Sequence, residues 1–145
     1  MPRPYLRLIR EDEADGLLRE EYDAAVERVL GPRDLEGTAV VVSAGGTREP
    51  IDAVRVIANR SSGKQGYAVA AEAASRGARV TLVSTVSLAV PAGVELVAVE
   101  TADEMHRAVS ERAVRADVVV MAAAVADFRP VVVADHKIKK GEGVP

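Results

Sequence analysis

The chain has 145 residues, of which 48% are hydrophobic and only 3% aromatic. This length predicts one main domain, with a core of Val, Ala, Leu and Ile as in parallel sheets with closely packed helices. The formal net charge of −3 argues against a nucleic-acid-binding protein, and the lack of cysteine excludes disulfides and thiolate metal sites. No segment has the apolar length of a secretory signal or a membrane span, so we predict a cytoplasmic protein without a membrane partner.

Residues 1–34 differ in character from the rest of the chain. Apolar residues at helical spacing predict a helix from about Asp15 to Leu30, and Gly31-Pro32 ends the pattern. Residues 33–37 are typical of a linker. We therefore expect an N-terminal helical segment, residues 1–34, followed by a domain over residues 35–145.

Strands and helices alternate along that domain. Apolar runs predict strands over residues 39–43, 79–84, 94–99 and 117–121, and helical spacing predicts helices over 64–77 and 101–115. Gly77 is placed to end the first helix as its C′ residue. The order β-α-β-β-α-β predicts an α/β fold, a Rossmann-like three-layer αβα arrangement with a mostly parallel sheet, preceded by the N-terminal helix.

The second predicted helix has a recognisable start and an apolar face. Thr101 and Glu104 have the spacing of a capping box, in which each side chain accepts a hydrogen bond from the other residue's backbone N–H. Four apolar residues of this helix are expected to face inward, namely Met105, Ala108, Val109 and Val114.

The connection between the first strand and the first helix, Ser43 to Gly66, is far longer than the usual 2–6 or so residues and rich in anion-binding groups. The turn Gly45-Gly46-Thr47 lies at a strand's carboxyl end, where it can bind a phosphate or simply turn the chain. Ser61-Ser62-Gly63 can cap the following helix, whose N-terminus also attracts anions. Length and composition together predict a ligand-binding loop.

Two further stretches carry candidate site residues. Arg55 and Asn59 suit recognition of a phosphate or carboxylate, although a solvated polar loop would look the same. After the last strand, the small residues following Met121 leave room for a base or ribose, and Asp127 can bind a ligand or a metal. Close helix–sheet packing and a surface Asp are the alternative interpretation.

Common nucleotide motifs are missing. Neither a Walker loop nor a Gly-x-Gly-x-x-Gly fingerprint is present, and the strand over 79–84 ends without the acidic residue that would hold a ribose. No tyrosine has a lysine four residues later, which also disfavours a Rossmann oxidoreductase. His106 and His136 have no metal-ligand or triad spacing, and His106 is expected at the surface.

Four stretches, residues 44–52, 55–64, 122–129 and 137–140, together resemble the bacterial phosphopantothenate–cysteine ligase family. That family forms the ligase half of the bifunctional flavoprotein of coenzyme A synthesis. The resemblance extends from about residue 35 to residue 140. It implies that CTP activates 4′-phosphopantothenate to an acyl-cytidylate with release of pyrophosphate, and that L-cysteine then displaces CMP.

The resemblance also implies roles for individual positions. Asn59 corresponds to the residue that acts on the acyl-cytidylate, Arg55 to the arginine before it, and Lys137 to the first lysine of a lid that contacts CTP. The implied CTP contacts are Gly45, Gly46, Thr47, Ser61, Ser62, Gly63, Met121, Ala122, Ala123, Asp127 and Lys137. Asp127 is also the implied residue for Mg²⁺, and no flavin is expected on this chain.

The resemblance leaves an alternative to full catalysis. The family domain continues past the lysine lid, so the chain is expected to be truncated at its C-terminus. A nucleotide-binding half-domain without turnover is therefore the alternative function, and a Rossmann oxidoreductase is less favoured. The expected partners are the two substrates, a second copy of the chain in a homodimer, and a fused or associated phosphopantothenoylcysteine decarboxylase, but no nucleic acid.

Overall fold

The computed structural model of the protein describes residues 19–21, 23–25 and 31–139. The chain divides into two compact units, residues 1–34 and 35–145. In the first unit, residues 19–21 and 23–25 are helical, and the remainder of the helix predicted over 15–30 lies outside the described residues. Within the described ranges no helix is long and apolar enough to cross a membrane.

The second unit is built from alternating strands and helices. In chain order they are β1 (Ala39–Ala44), β2 (Arg48–Pro50), β3 (Val56–Ala58), α1 (Lys64–Ser75), β4 (Arg79–Ser84), β5 (Val94–Ala98), α2 (Ala102–Ala113) and β6 (Val118–Met121). Four strands form one parallel sheet in the order β5-β4-β1-β6. The Rossmann-like α/β prediction is therefore confirmed, as are its four main strands and two helices.

The strands β2 and β3 were not predicted. They form a separate antiparallel pair inside the long connection between β1 and α1, with Arg48 opposite Ala58 and Pro50 opposite Val56. Each has only three residues and lacks an alternating apolar pattern, so it gives no periodic signal in the sequence.

The side chains of β1 alternate between two helical layers. Val40 and Val42 belong to the cluster that contains Tyr67 and other residues of α1, whereas Val41 packs in a cluster with Met105 of α2. Successive strand residues point to opposite faces, so one short apolar strand supplies both halves of the core. The sheet thus lies between α1 and α2, as a three-layer arrangement requires.

Helix α1 lies very close to β1 because Gly66 has no side chain. A Cβ at Gly66 would lie 2.6 Å from the Cβ of Ala44 and 2.8 Å from the carbonyl oxygen of Ser43. At the other end, the N–H of Gly77, with φ +91°, donates to Ala74, and that of Ala78 donates to Ala73. This pattern is a Schellman motif and confirms Gly77 as the C′ residue.

Helix α2 confirms the capping box but not the whole predicted apolar face. Glu104 N–H donates to Thr101 Oγ1 at 3.2 Å, and Thr101 N–H donates to Glu104 Oε2 at 3.2 Å. Met105 and Val109 are buried, but the prediction for Val114 was wrong, since Val114 is 84% exposed. The helix ends at Ala113, one residue before Val114. From Val109 to Val114 the rotation around the helix axis would be about 500°, which takes Val114 out of the apolar stripe.

The strand order reverses at β1. From β1 the chain crosses through α1 to β4 and then to β5, and it returns through α2 to pair β6 with the other edge of β1. In open α/β sheets, ligands bind outside the carboxyl ends of the two strands that flank such a reversal. The loops that follow β1 and β6 therefore form the candidate site.

Candidate functional site

The loops after β1 and β6 are joined directly to each other. Gly46 and Ala124 form an isolated parallel bridge, Ala124 N–H donates to Gly45 at 2.7 Å, and Thr47 N–H donates to Ala124 at 3.3 Å. The parallel pairing of β1 and β6 thus continues past the strand ends. This junction brings the predicted turn Gly45-Gly46-Thr47 against the predicted base-binding stretch after Met121.

Three buried hydroxyl groups stabilise this junction. Ser43 Oγ accepts hydrogen bonds from Ala122 N–H and Ala123 N–H, at 3.1 and 3.2 Å. Thr47 Oγ1 accepts from Ala126 N–H at 2.8 Å, and Thr85 Oγ1 donates to Gly46 at 2.8 Å. A buried hydroxyl can satisfy loop backbone groups that no ladder partner reaches.

Thr47 is buried, whereas a residue that contacts a phosphate would be expected to have an accessible hydroxyl. The residue is fully buried, and its hydroxyl holds the loop after β6. Gly45 and Gly46 are also buried, and a Cβ at Gly45, with φ +87°, would lie 2.2 Å from Thr85 Oγ1. Their contact with a triphosphate stays a prediction.

Asn59 lies on the same junction. A Cβ at Gly46 would lie 2.3 Å from the backbone oxygen of Asn59, so the glycine allows the two loops to touch. The Asn59 side chain is exposed, and its Nδ2 donates to the Val125 carbonyl at 2.9 Å. The structure therefore brings Asn59 together with the glycine turn and the loop after β6.

The start of α1 reaches the glycine turn as well. A Cβ at Gly63 would lie 2.4 Å from Val86 Cγ2 and 3.4 Å from the Gly45 nitrogen. The N-cap is Gly63, the last residue of the stretch predicted to cap the helix, with φ +73°. It offers no side-chain cap, so neither serine occupies the N-cap position. Ser61 Oγ instead accepts from Gly63 N–H at 3.3 Å, and Ser62 Oγ from Lys64 N–H at 3.5 Å.

The residues after β6 differ in accessibility. Met121 is 61% exposed, Ala122 and Ala123 are half-buried, and Asp127 is exposed. Asp127 has no hydrogen bond or ion pair with any other described residue. A nearby cavity of about 200 Å³ is lined in part by Asp127, Glu49 and Asp103.

Arg55 and Lys137 belong to a second group of residues, which a buried carboxylate organises. Asp52 Oδ2 accepts from Arg55 Nε at 2.9 Å and Nη2 at 2.5 Å, and from Ile138 N–H at 3.0 Å. Arg55 Nη2 also donates to the Ile138 carbonyl at 3.3 Å. Ile138 is the neighbour of Lys137, so the structure brings Arg55 and the segment that carries Lys137 to the same carboxylate.

The Arg55 guanidinium, together with the Ile138 N–H, holds the pKa of the Asp52 carboxyl well below its usual range. The side chain of Asp52 is fully buried, whereas that of Arg55 is 47% exposed. A buried carboxylate that accepts so many hydrogen bonds stays ionised throughout the physiological pH range. Asp52 is thus a fixed negative charge beneath a half-exposed guanidinium.

The exposed surface around these loops is rich in cations. Arg60, Lys64, Lys137 and Lys139 are exposed and form no ion pair with any residue in the part of the chain that the structure describes. Unpaired cations beside a helix N-terminus create a positive potential that favours an anionic ligand.

A larger cavity lies elsewhere in the molecule. It has a volume of about 810 Å³ and is lined by residues such as Ala39, Arg79 and Ala116 at the amino-terminal edge of the sheet. The candidate residues lie at the opposite, carboxyl edge. Since nucleotide sites of open α/β sheets lie at the carboxyl edge, this cavity is not the candidate site.

The sequence interpretation gave no role to three residues of the site. Ser43 and Asp52 were part of quoted stretches, and Glu49, which is buried, accepts from Ala102 N–H through Oε1 at 2.8 Å. An Asp three residues before an Arg is a weak signal for a side chain that closes its own turn, whereas nothing in the sequence indicates the distant partners.

Comparison with known proteins gives the family. The model of the DNA/pantothenate metabolism flavoprotein C-terminal domain matches residues 35–145. Over 132 residues the chain is 61% identical to the Coenzyme A biosynthesis bifunctional protein CoaBC of Mycobacterium tuberculosis, covering 89% of this chain and 30% of that protein. The chain thus spans about a third of the length of the curated relatives it matches.

Solved structures resemble the chain in the same way as the sequence relatives do. The chain resembles the crystal structure of the C-terminal domain of a Coenzyme A biosynthesis bifunctional protein CoaBC, with a TM-score of 0.66 and 44% identity. The match covers 72% of this chain and 56% of that one. A flavoprotein of the same family from Streptococcus pneumoniae, 29% identical, gives a TM-score of 0.59 over 65% of this chain and 44% of its own. The chain therefore belongs to the DNA/pantothenate metabolism flavoprotein C-terminal domain family.

Proposed function

We propose that this domain ligates 4′-phosphopantothenate to L-cysteine at the expense of CTP, as a step of coenzyme A biosynthesis. Family membership supports the pathway, since the relatives at 61% identity are coenzyme A biosynthesis proteins. The choice of CTP and the acyl-cytidylate route follow from the motifs that resemble the ligase family.

One structural observation carries the proposal. The Gly46–Ala124 bridge at the reversal of strand order joins three of the predicted motifs, namely the glycine turn, Asn59 and the loop after Met121. These motifs are separated by many residues in the chain, and the parallel pairing of β1 with β6 continues past the strand ends to bring them together. Their convergence at the carboxyl edge is the arrangement expected of a nucleotide site.

The reaction has two steps. A carboxylate oxygen of phosphopantothenate attacks the α-phosphorus of CTP, the bond to the β-phosphate oxygen breaks, and pyrophosphate leaves. The cysteine amine then attacks the acyl carbon, CMP leaves with the bonding electron pair, and the amine loses a proton. Both steps involve anions, so the protein contributes mainly positioning and charge neutralisation.

The chain offers suitable groups for both tasks. Arg55 gives Nε and Nη2 to Asp52, which leaves Nη1 without a partner among the described residues. We infer that Nη1 and the Asn59 amide face the acyl-cytidylate, and that Lys137 neutralises the phosphates. The α1 N-terminus beside Gly45 adds backbone N–H groups that favour an anion.

The donor set fits a magnesium ion that a nucleotide brings with it. Among the described residues no three acidic or histidine side chains are arranged so that they could hold a metal ion together, so no all-protein metal cage exists there. Mg²⁺ in nucleotide sites is usually held by one or two carboxylates and by phosphate oxygens. Asp127, exposed and without a partner in the described ranges, is the residue that would hold it, and the ion would neutralise charge on the triphosphate.

A direct assay tests this function. The chain is mixed with phosphopantothenate, CTP and magnesium, with and without cysteine, and pyrophosphate and CMP are measured. We expect pyrophosphate in both mixtures and CMP release that depends on cysteine. Saturable CTP binding without pyrophosphate would instead support the nucleotide-binding half-domain, and absence of binding would reject both functions.

The variant Asn59→Ala tests the role of one residue. We expect the rate of product formation to fall by roughly 100-fold or more, with a much smaller change in CTP affinity, because the amide acts on the intermediate. His106→Ala, an exposed change on α2, is the control and should leave both quantities unchanged. Equal losses of rate and affinity in Asn59→Ala would contradict the assigned role.

Two partners belong to the same proposal. The relatives are bifunctional, and the chain spans only 30% of the M. tuberculosis protein. We propose that the domain works with a phosphopantothenoylcysteine decarboxylase, fused or associated, in the cytoplasm, and that it forms a homodimer. Size-exclusion chromatography with light scattering tests the dimer, and a monomer at micromolar concentration would contradict it.

A further inference from the structure

A buried carboxylate, Asp52, links two parts of the molecule that the proposed function needs together. Its side chain is fully buried, in a loop whose neighbours are mostly exposed. Five donors contact it: Val54 N–H and Arg55 N–H on Oδ1, and Arg55 Nε, Arg55 Nη2 and Ile138 N–H on Oδ2. A buried charge requires such compensation, so the arrangement is a single unit.

The two carboxylate oxygens have different tasks. Oδ1 accepts at 2.9 Å from the N–H groups of Val54 and Arg55 and closes the local turn, as Asn or Asp does in many loops. Oδ2 contacts nothing in the turn backbone and binds the Arg55 guanidinium and Ile138 instead. The turn needs only one oxygen, so a turn-forming role alone does not explain the second oxygen's partners.

Ile138 is held from both sides. Its N–H donates to Asp52, and its carbonyl accepts from Arg55 Nη2, which the same carboxylate orients. An isolated parallel bridge between Asp52 and Ala134, with Ala134 N–H donating to Ile51 at 3.1 Å, fixes the register of this segment. Lys137 is next to Ile138, so its place depends on this attachment.

We propose that Asp52 is a positioning residue that holds Arg55 and the Lys137 segment in one arrangement before the anionic substrates bind. The effect of Asp52 on catalysis rests on the proposed function. The hydrogen bonds that Asp52 accepts from Arg55 and Ile138 do not depend on that function. Asp52 touches no reacting atom. It acts by fixing Nε and Nη2, which aims the remaining guanidinium nitrogen and prevents the lysine segment from moving away.

The variant Asp52→Asn separates the two tasks. Asparagine keeps one oxygen for the turn but replaces the other with an NH₂ group, which cannot accept from Arg55 or Ile138. Glu49→Gln is the matched control. Glu49 is also a buried carboxylate of the same loop, and its Oε1 accepts from Ala102 N–H, but no contact links it to Arg55.

The first measurement does not depend on activity. In ¹H–¹⁵N spectra of Asp52→Asn, we expect the Arg55 Nε–H and Ile138 N–H signals to shift together by a large amount, while the amides of the sheet stay in place. In Glu49→Gln both signals should keep their wild-type positions. An unchanged Arg55 or Ile138 signal in Asp52→Asn would overturn the inference, whatever the domain's function.

The second measurement is a double-mutant cycle on pyrophosphate release. We expect Asp52→Asn to lower kcat by on the order of 100-fold, since small misplacement of a binding group costs about this much. In an Arg55→Ala background, Asp52→Asn should have little further effect on kcat, because the group it positions is gone. A full additional loss in that background would mean a general structural role and would overturn the inference.

The two measurements distinguish the two proposals. If the wild-type chain releases no pyrophosphate, the proposed function fails for this chain, and the spectra alone decide whether Asp52 holds Arg55 and Ile138. If pyrophosphate is released but the cycle is additive, the proposed function stands and the positioning role is rejected.

Discussion

The two helices of the domain begin in opposite ways, and the difference identifies the end that can receive an anion. At α2, Thr101 and Glu104 form a capping box, Glu49 accepts from Ala102 N–H, and Asp103 adds a further negative charge. At α1, the N-cap is Gly63, which has no side chain to cap the helix, and Ser62 Oγ accepts from Lys64 N–H only at 3.5 Å. No acidic residue lies in the first turn of α1.

A helix N-terminus carries unsatisfied N–H groups and a partial positive charge, which carboxylates of the protein can neutralise. The start of α2 is neutralised by the protein's own side chains, as suits a structural helix. The start of α1 lies beside Gly45 and the exposed cation Lys64, and it keeps its positive charge. Local capping thus separates a structural helix end from a candidate binding end.

The largest effect is expected from Gly63→Ala at the start of α1. The new Cβ would lie 2.4 Å from Val86 Cγ2, and the backbone has φ +73°. We expect a loss of about 1–2 kcal/mol in the free energy of unfolding from the left-handed backbone and about 1–3 kcal/mol from overpacking.

Gly93→Ala is the control for this substitution. Gly93 has φ +76°, but no atom lies within 4 Å of the position that a Cβ would take there. This variant should therefore lose only the backbone contribution, about 1–2 kcal/mol. Urea unfolding measures both variants. Equal losses would mean that close packing at the start of α1 contributes nothing.

A smaller effect is expected from removing a cap. Thr101→Ala should lower the free energy of unfolding by about 1 kcal/mol, because Glu104 N–H loses its acceptor. Ser62→Ala, the counterpart at α1, should cost only about a few tenths, since its hydroxyl accepts at 3.5 Å and is exposed. If Ser62→Ala cost as much as Thr101→Ala, the two helix starts would be equally capped.

The pH dependence of stability should also differ between the helix starts. The N–H groups of Glu100 and Thr101 lower the pKa of Glu104. Because the pKa of Glu104 is lower in the folded state than its ordinary value of 4.5, ionised Glu104 stabilises the fold at pH values above 4.5. This contribution is lost as the pH falls through the folded-state pKa.

The measurement compares Glu104→Gln with the wild type by urea unfolding from pH 7 to pH 3. We expect the wild type to lose more stability over that range than the variant does. Glu111→Gln, an exposed change on the same helix, is the control and should follow the wild type. A parallel course of Glu104→Gln and wild type would contradict the linkage.

The smallest effect is a change in chemical shift. Titration with pyrophosphate, followed in ¹H–¹⁵N spectra, should move the Gln65 and Gly66 amides in the first turn of α1, which have no side-chain acceptor among the described residues. The amides of Ala102 and Glu104 should stay in place, because their N–H groups already donate to Glu49 and Thr101. Shifts at the start of α2 alone would mean that α2, and not α1, receives the anion. Added salt should weaken the response at α1, because it screens the attraction between charges.

Local sequence signals predicted much of this fold. The strand bounds agree to within two residues, and the capping box and the glycine after α1 were recognised because each depends on residues a few positions apart. The prediction for Val114 was wrong because a residue five positions after Val109 lies off the apolar stripe of a helix, and Val114 also lies beyond the helix end at Ala113.

The sequence by itself determined the alternation of strands and helices, the helix ends and, through its motifs, the family to which the chain is related. Only the tertiary structure decided the reversal of strand order at β1, the bridge from Gly46 to Ala124, and the partners of Ser43 and Asp52. Periodicity and capping act over a few residues, whereas these contacts join residues about 80 positions apart, whose meeting depends on how the whole sheet is ordered.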